Sequence, residues 1–182
     1  MRPIEYRELY VMIRLEPFTP NDFKTVISWI HSKELLVTIA GTVFTFPLTE
    51  DQLQKYLDDE KSCSFNVVDT AKNKNIGHAE IYLTGNGTCK LDKVLIGDKS
   101  NRGKGIGLLL IDELVSYSFT RLGVGMVELN VYDWNASAKK CYEKAGFTLN
   151  PDKKMSTEVD GISWNALNMT ITKDQWDQRV KV

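Results

Sequence analysis

The sequence predicts an α+β fold in which one mixed sheet carries helices on both faces. Short β-like runs recur along the chain, and two pairs of them flank tight Gly turns that mark hairpins. Amphipathic helical stretches separate these runs, so helices and strands are mixed in order. No repeat, low-complexity tract or linker interrupts the pattern, so residues 1–182 read as one domain.

Each element has a local cause. Residues 10–15 form a first strand, ended by Pro17. Thr19-Pro20-Asn21-Asp22 opens a helix through about Ile30, because Pro suits a first helical turn and Thr19 offers a cap. A capping-box pattern at residues 49–52 starts a second helix, with Leu53, Tyr56 and Leu57 at helical spacing. Residues 65–68 and 76–83 read as strands joined by a polar turn at 70–75, and Gly85-Asn86-Gly87 turns the chain into a strand over 88–96. A polar, Gly-rich stretch over 97–107 precedes a helix to about Arg121, striped by Ile111, Leu114 and Val115. A strand at 126–132, a helix at 135–145 ended by Gly146, and a hairpin of 155–159 and 163–171 around Asp160-Gly161 complete the chain.

Composition excludes several classes. Lys plus Arg number 23 against 24 Asp plus Glu, a net charge of −1, which argues against nucleic-acid binding driven by surplus positive charge. The longest apolar run, residues 106–111, is far too short to cross a bilayer, and the N-terminus lacks the basic-then-apolar order of a signal peptide. Cysteines at 63, 89 and 141 form no C-x-x-C and read as reduced thiols of a cytoplasmic protein. His31 and His78 have no cysteine near them, so no metal site is expected.

Two segments carry chemistry. In Arg102-Gly103-Lys104-Gly105-Ile106-Gly107, three alternate glycines strip the Cβ atoms from one side of a turn that leads into a helix. Backbone amides, the helix dipole and the two cations then make a seat for phosphates. A Walker A loop is excluded, because five residues separate Gly97 from Gly103 and Gly105 follows the lysine. A dinucleotide fingerprint is excluded because Leu108 stands where its last Gly belongs. A turn that merely starts a helix is the plain alternative. In the second segment Ala138, Cys141, Tyr142 and Ala145 share one helix face, so Tyr142 points inward and is either a core tyrosine or a working phenol.

Taken together, these segments resemble a known family. Residues 102–107 resemble motif A, [Q/R]-x-x-G-x-[G/A], of the GNAT superfamily of acyl-CoA N-acyltransferases, and the stretch from Asn135 through Tyr142 to Phe147 resembles its motif B, about 28 residues on. Residues 13–19 resemble the opening of the branch that includes ribosomal-protein acetyltransferases. The resemblance implies a mostly antiparallel sheet of about seven strands whose fourth and fifth strands splay apart. It implies acetyl-CoA as acyl donor, with direct attack by a primary amine. Ile96 and Gly97 would pair with the pantetheine arm, with a polarising amide for the thioester carbonyl near Gly97. Arg102, Gly103, Lys104, Gly105, Ile106 and Gly107 would hold the pyrophosphate. Asn135 would bond the pantetheine or fix the splay, and Tyr142 would protonate or stabilise the leaving thiolate.

The general base departs from the family pattern, since Cys89 and Asn130 stand where relatives carry Glu. Glu80 and Asp92 are the replacements, either acting through a water; equally, both are solvated or ion-paired with Lys90 or Lys93. Alternation puts Asp92 on the face opposite Cys89 unless a bulge resets it. A lysine-like amine costs about 4–5 kcal/mol to deprotonate at pH 7 and an α-amino group roughly 1, so a weak base suits the latter. The resemblance places the acceptor pocket between the first helices and the last hairpin, where Trp29, His31, Phe44, Phe46, Trp164 and Asn165 either line it or pack the core. Asp51, Asp58, Asp59 and Glu60 attract a cationic amine or form a solvated face. The expected acceptor is a small-molecule amine or a protein N-terminal amine, and the expected state is a monomer or homodimer. The alternative function is a catalytically silent acyl-CoA-binding or regulatory domain.

Overall fold

The computed structural model describes residues 13–97 and 99–180. Among these residues seven strands form one sheet in the order β1-β2-β3-β4-β5-β7-β6. The strands are β1 (Ile13–Pro17), β2 (Ser62–Asp69), β3 (Lys74–Gly85), β4 (Thr88–Ile96), β5 (Met126–Tyr132), β6 (Thr148–Val159) and β7 (Ile162–Thr172). Only the β4–β5 pair is parallel. The α+β mixed sheet expected from the sequence is therefore the one observed; residues 10–12 of its expected first strand lie outside the described residues.

Among the described residues six α-helices accompany the sheet: α1 (Phe23–Trp29), α2 (Lys33–Ala40), α3 (Glu50–Leu57), α4 (Ile106–Thr120), α5 (Ala136–Lys144) and α6 (Lys173–Val180). The expected first helix begins as a 3-10 turn at Pro20–Asp22, where the Asp22 carboxylate accepts from the Thr19 N–H at 2.9 Å. Two helices are additional to the sequence reading. Ser32 caps α2, its hydroxyl accepting from the Leu35 N–H at 3.1 Å, and Leu36, Val37 and Ala40 bury its inner face. α6 is short and polar, and it is anchored by Trp176 against Phe119 and by Arg179 on the Ala145 carbonyl at 2.8 Å.

Two apolar cores lie on opposite faces of the sheet. On one, Leu110, Ile111 and Leu114 of α4 pack on Ile81, Cys89, Leu91, Val127 and Leu129. On the other, Phe23, Val26, Leu36 and Leu53 from α1, α2 and α3 enclose Leu95 with Tyr56 and Phe18. Strand alternation divides the side chains between the two, except where β4 breaks it. One residue too many stands opposite His78–Glu80, and Lys93 takes a left-handed backbone with φ of 49°. This bulge leaves Cys89 and Leu91 facing α4 while adjacent residues Asp92 and Lys93 both turn toward α3. Because it comes after Asp92, it does not bring Asp92 onto the face of Cys89.

Candidate active site

Past the bulge β4 and β5 part. Their ladder runs from Thr88↔Met126 to Leu91↔Leu129, yet β4 continues to Ile96 paired with β3, and β5 continues to Tyr132 paired with β7. Each strand stays in the sheet on its outer side and opens on its inner side. Gly97 donates its N–H to the Ile76 carbonyl at 2.9 Å, so alternation turns the N–H and C=O of Ile96 into the opening. The Ile96 carbonyl accepts from Arg102 Nε at 3.0 Å, which leaves its N–H facing the splay. The Gly97 N–H is thus engaged by β3, and the neighbouring Ile96 N–H is the one that faces the opening. Gly97 has another role: a Cβ there would lie 1.9 Å from the Trp29 indole, which rests on it. Trp29 is thus a packing residue.

The turn at 102–107 leads out of this opening into α4. Gly103 and Gly105 adopt φ of 74° and 79°, a left-handed backbone that side chains resist. Gly105 sits at the helix cap with no side chain capping it, and Leu108 and Leu109 both donate to its carbonyl. The amides of Ile106 and Gly107 thus begin α4 uncapped, at the positive end of its dipole. Gly103, Lys104 and Gly105 are exposed, as is Arg102. Gly107 departs from the sequence argument: it lies inside the helix, where a Cβ would come 3.8 Å from Cys141 Sγ of α5, so its bare side faces α5.

Across the splay, Asn135 caps α5, its side-chain oxygen accepting from the Ala138 N–H at 3.2 Å. Two turns on, Tyr142 packs beside Phe147, with ring centroids 6.2 Å apart. Among the described residues its hydroxyl has no hydrogen-bond partner. Burial, with added charge from Cys141 and Asp92, pushes its phenol well above the ordinary tyrosine range, so it holds its proton at neutral pH. Burial also raises the Cys63, Cys89 and Cys141 thiols, which keeps them protonated and poor nucleophiles.

Glu80 and Asp92 are brought together as register partners, but in different surroundings. Glu80 is 1% exposed, accepts from the Ser62 hydroxyl at 2.5 Å, and is ion-paired with Lys93. Asp92 accepts from Lys90 Nζ at 2.8 Å, lies 3.9 Å from Lys93 Nζ, and keeps part of its carboxylate accessible. Both pairings match the ion-pair alternative read from the sequence. Lys93, named from the sequence only as an ion-pair partner, also lies over the Tyr56 ring at 4.9 Å from its centroid. No local signal marks it, because its position depends on the bulge. Tyr56 continues the polar chain: its hydroxyl accepts from Ser64 at 2.7 Å and meets His78 Nε2 at 3.2 Å.

A cleft of about 670 Å³ opens above these groups, lined by Phe44, Tyr56, Tyr82, Lys90, Asp92 and Lys93 among others. A smaller cavity of about 200 Å³ shares Val43, Lys90 and Asp92 with it and reaches Asn130, Val131 and Tyr132 on the β5 side of the splay. Asp92 therefore stands where a wide acceptor-sized cleft meets the opening between the strands. Gln52 of α3 holds the overhanging loop, donating to the Thr45 and Pro47 carbonyls at 3.1 Å each and accepting from the Thr45 N–H at 2.8 Å. Of the aromatic candidates, Phe44 lines the cleft; Trp164 instead packs edge-on against Tyr132 and Trp134, and His31 is exposed.

Comparison with known proteins agrees with this arrangement. A family profile described as an acetyltransferase (GNAT) domain matches residues 13–148. An N-acetyltransferase 9-like protein of Nematostella vectensis is 25% identical over 158 residues, covering 81% of this chain and 80% of its own. The alpha/beta-tubulin-N-acetyltransferase 9 of Homo sapiens is 24% identical over 162 residues, 81% of this chain and 75% of its own. A crystal structure of spermidine N-acetyltransferase from Vibrio cholerae in complex with CoA and spermine superposes with a TM-score of 0.77 at 20% identity, over 91% of this chain and 98% of that chain, a likeness of fold. The profile spans the splayed strands, the glycine turn and the helix that carries Tyr142, and the chain belongs to the GNAT acetyltransferase family.

Proposed function

We propose that this protein is an N-acetyltransferase that moves an acetyl group from acetyl-CoA to a primary amine by direct attack in a ternary complex. One observation carries the reading: the β4–β5 splay lies between an uncapped helix turn on one side and the Asp92 cleft on the other. Acetyl-CoA, when bound, supplies the activated thioester. The residues present fit it. Amides of the 103–107 turn, with Arg102 and Lys104, suit a diphosphate, and the unspent Ile96 N–H suits an extended amide-bearing arm. Asn135 retains its amide N–H groups for the same arm.

Two side chains suit the proton steps. Asp92 takes the proton of the attacking amine through a water in the cleft, and Tyr142 gives its proton to the departing sulfur. Glu80 is a positioning residue that holds Lys93 in place. The three cysteines keep their protons, which favours direct transfer over an acyl-cysteine intermediate. The likeness of residues 13–19 to ribosomal-protein acetyltransferases, and a relative named for tubulin, support a protein N-terminus among the acceptors.

The test is thiol release from acetyl-CoA with a panel of amines, run on the wild type and on Tyr142→Phe. Turnover in the wild type and its loss in the variant, with cofactor affinity retained, is the expected result. Cofactor binding with no thiol release from any amine would instead make this a silent acyl-CoA-binding domain.

A further inference from the structure

Asn130 faces Asp92 across the mouth of the splay. Leu91↔Leu129 is the last rung of the parallel ladder, and both leucines face α4. The next residues on the two strands, Asp92 and Asn130, therefore turn together to the opposite face, where both line the cavity of about 200 Å³. An amide cannot take a proton from an amine, but it can donate a hydrogen bond, and its neighbours decide which of its two ends is offered.

Asn168 makes that choice. It is fully buried on β7, in register with Asn130 on one side and Asn150 on the other. Its Nδ2 donates to Glu128 and to the Leu129 carbonyl, each at 3.2 Å, and its Oδ1 accepts from Asn150 Nδ2 at 2.9 Å. Glu128 is kept ionised by Lys153 at 2.8 and 2.9 Å, so it and the carbonyl can only accept, and the two ends of Asn168 are fixed. The same Nδ2 donates to Asn130 Oδ1 at 2.9 Å. The carbonyl end of Asn130 is thus turned to β7. Its amide N–H groups, with no partner among the described residues, are left for the cavity.

Asp92 accepts from the Lys93 N–H at 3.0 Å on Oδ1 and from Lys90 Nζ at 2.8 Å on Oδ2, which leaves each oxygen a further lone pair. A water that donates to Asp92 keeps two lone pairs of its own, one for the amine proton and one for a donor. We infer, on the acetyltransferase reading above and its use of Asp92, that Asn130 is a positioning residue whose N–H seats this water. The ammonium N–H proton passes to the water oxygen as a water proton passes to an Asp92 oxygen. The water is restored, Asp92 ends as the acid, and the freed nitrogen lone pair attacks the thioester carbonyl. Three partners hold the water in one orientation, as an ordered water requires.

The test is a double-mutant cycle on thiol release, with Leu-Ala-Ala-amide and Nα-acetyl-lysine amide as acceptors. It compares the wild type, Asn130→Ala, Asp92→Asn and the double variant. Asn130→Ala leaves the Asn168 amide with Glu128 and the Leu129 carbonyl, so no buried donor is orphaned. Asn130→Val, a strand-forming substitute, carries the test should the alanine variant fail to fold. Asn130→Ala is expected to lower kcat about tenfold with the acceptor KM unchanged, and to cost less than about twofold once Asp92 is Asn. A kcat unmoved by Asn130→Ala, a loss confined to KM, or a full tenfold loss persisting beside Asp92→Asn overturns the inference and leaves the acetyltransferase reading standing. Full turnover in Asp92→Asn overturns the use of Asp92 and the inference with it. No thiol release from either amine or the wider panel overturns the acetyltransferase reading as well.

Discussion

Glu80 and Asp92 stand directly opposite one another on β3 and β4, yet Glu80 is sealed while Asp92 stays partly accessible. The bulge at Lys93 causes the difference, because it folds a lysine back over Glu80 and seals it. Glu80→Gln leaves a buried ammonium without its counter-ion, at a cost of about 3–5 kcal/mol, read as a lower urea midpoint. Asp92→Asn, by contrast, leaves the midpoint nearly unchanged. It lowers turnover of lysine-like amines by roughly 100-fold and of α-amines less, because the latter need less help to lose a proton.

Tyr142→Phe removes the proposed proton donor, whose hydroxyl makes no hydrogen bond among the described residues. The expected outcome is a fall of about 100-fold in kcat, with acetyl-CoA affinity within a few-fold of the wild type by calorimetry. Because the raised phenol stays protonated in the folded chain while an unfolded tyrosine ionises near 10, stability declines as pH rises through 10. Tyr142→Phe reduces that alkaline decline.

Gly97 and Gly107 separate two uses of glycine. Gly97→Ala drives a Cβ to within 1.9 Å of the Trp29 ring, so α1 must shift or the strand end must yield. A loss of about 1–3 kcal/mol in denaturant titration is expected, partly relieved by adding Trp29→Leu. Gly107→Ala meets Cys141 at an ordinary 3.8 Å and keeps the stability of the wild type.

His78 supplies the acid sensitivity. Burial, with Lys93 nearby, lowers it from 6.5 to about 3 against a weaker opposing pull from Asp22, and its Nδ1 has no partner among the described residues. The folded chain therefore keeps the ring neutral while the unfolded chain binds a proton below 6.5. That stability is present above 6.5 and is lost as pH falls toward 3. Urea midpoints measured across that window should fall less steeply in His78→Gln than in the wild type.

The glycine turn and α4 were legible in the sequence because their causes are local: left-handed residues at 103 and 105, then an apolar stripe. The Thr49 cap of α3 was legible for the same reason, its hydroxyl accepting from the Gln52 N–H at 3.3 Å. Ser32 carried a comparable signal for α2, but the polar run of residues 31–34 around it resembles a loop. α6 offered none, since Trp176 and Arg179 find partners more than fifty positions away on α4. The placement of Lys93 over Tyr56 and the engaged amide of Gly97 were hidden for a different reason. Both follow from how β4 meets β3, a registry that alternation along one strand does not encode.

The left-handed kink in β4 makes the slot between the strands a property of the backbone itself. A cavity held open by backbone conformation needs no rearrangement to admit its guest. Coenzyme A should therefore associate in a single kinetic phase whose rate rises linearly with its concentration, the mark of a lock already cut for its key.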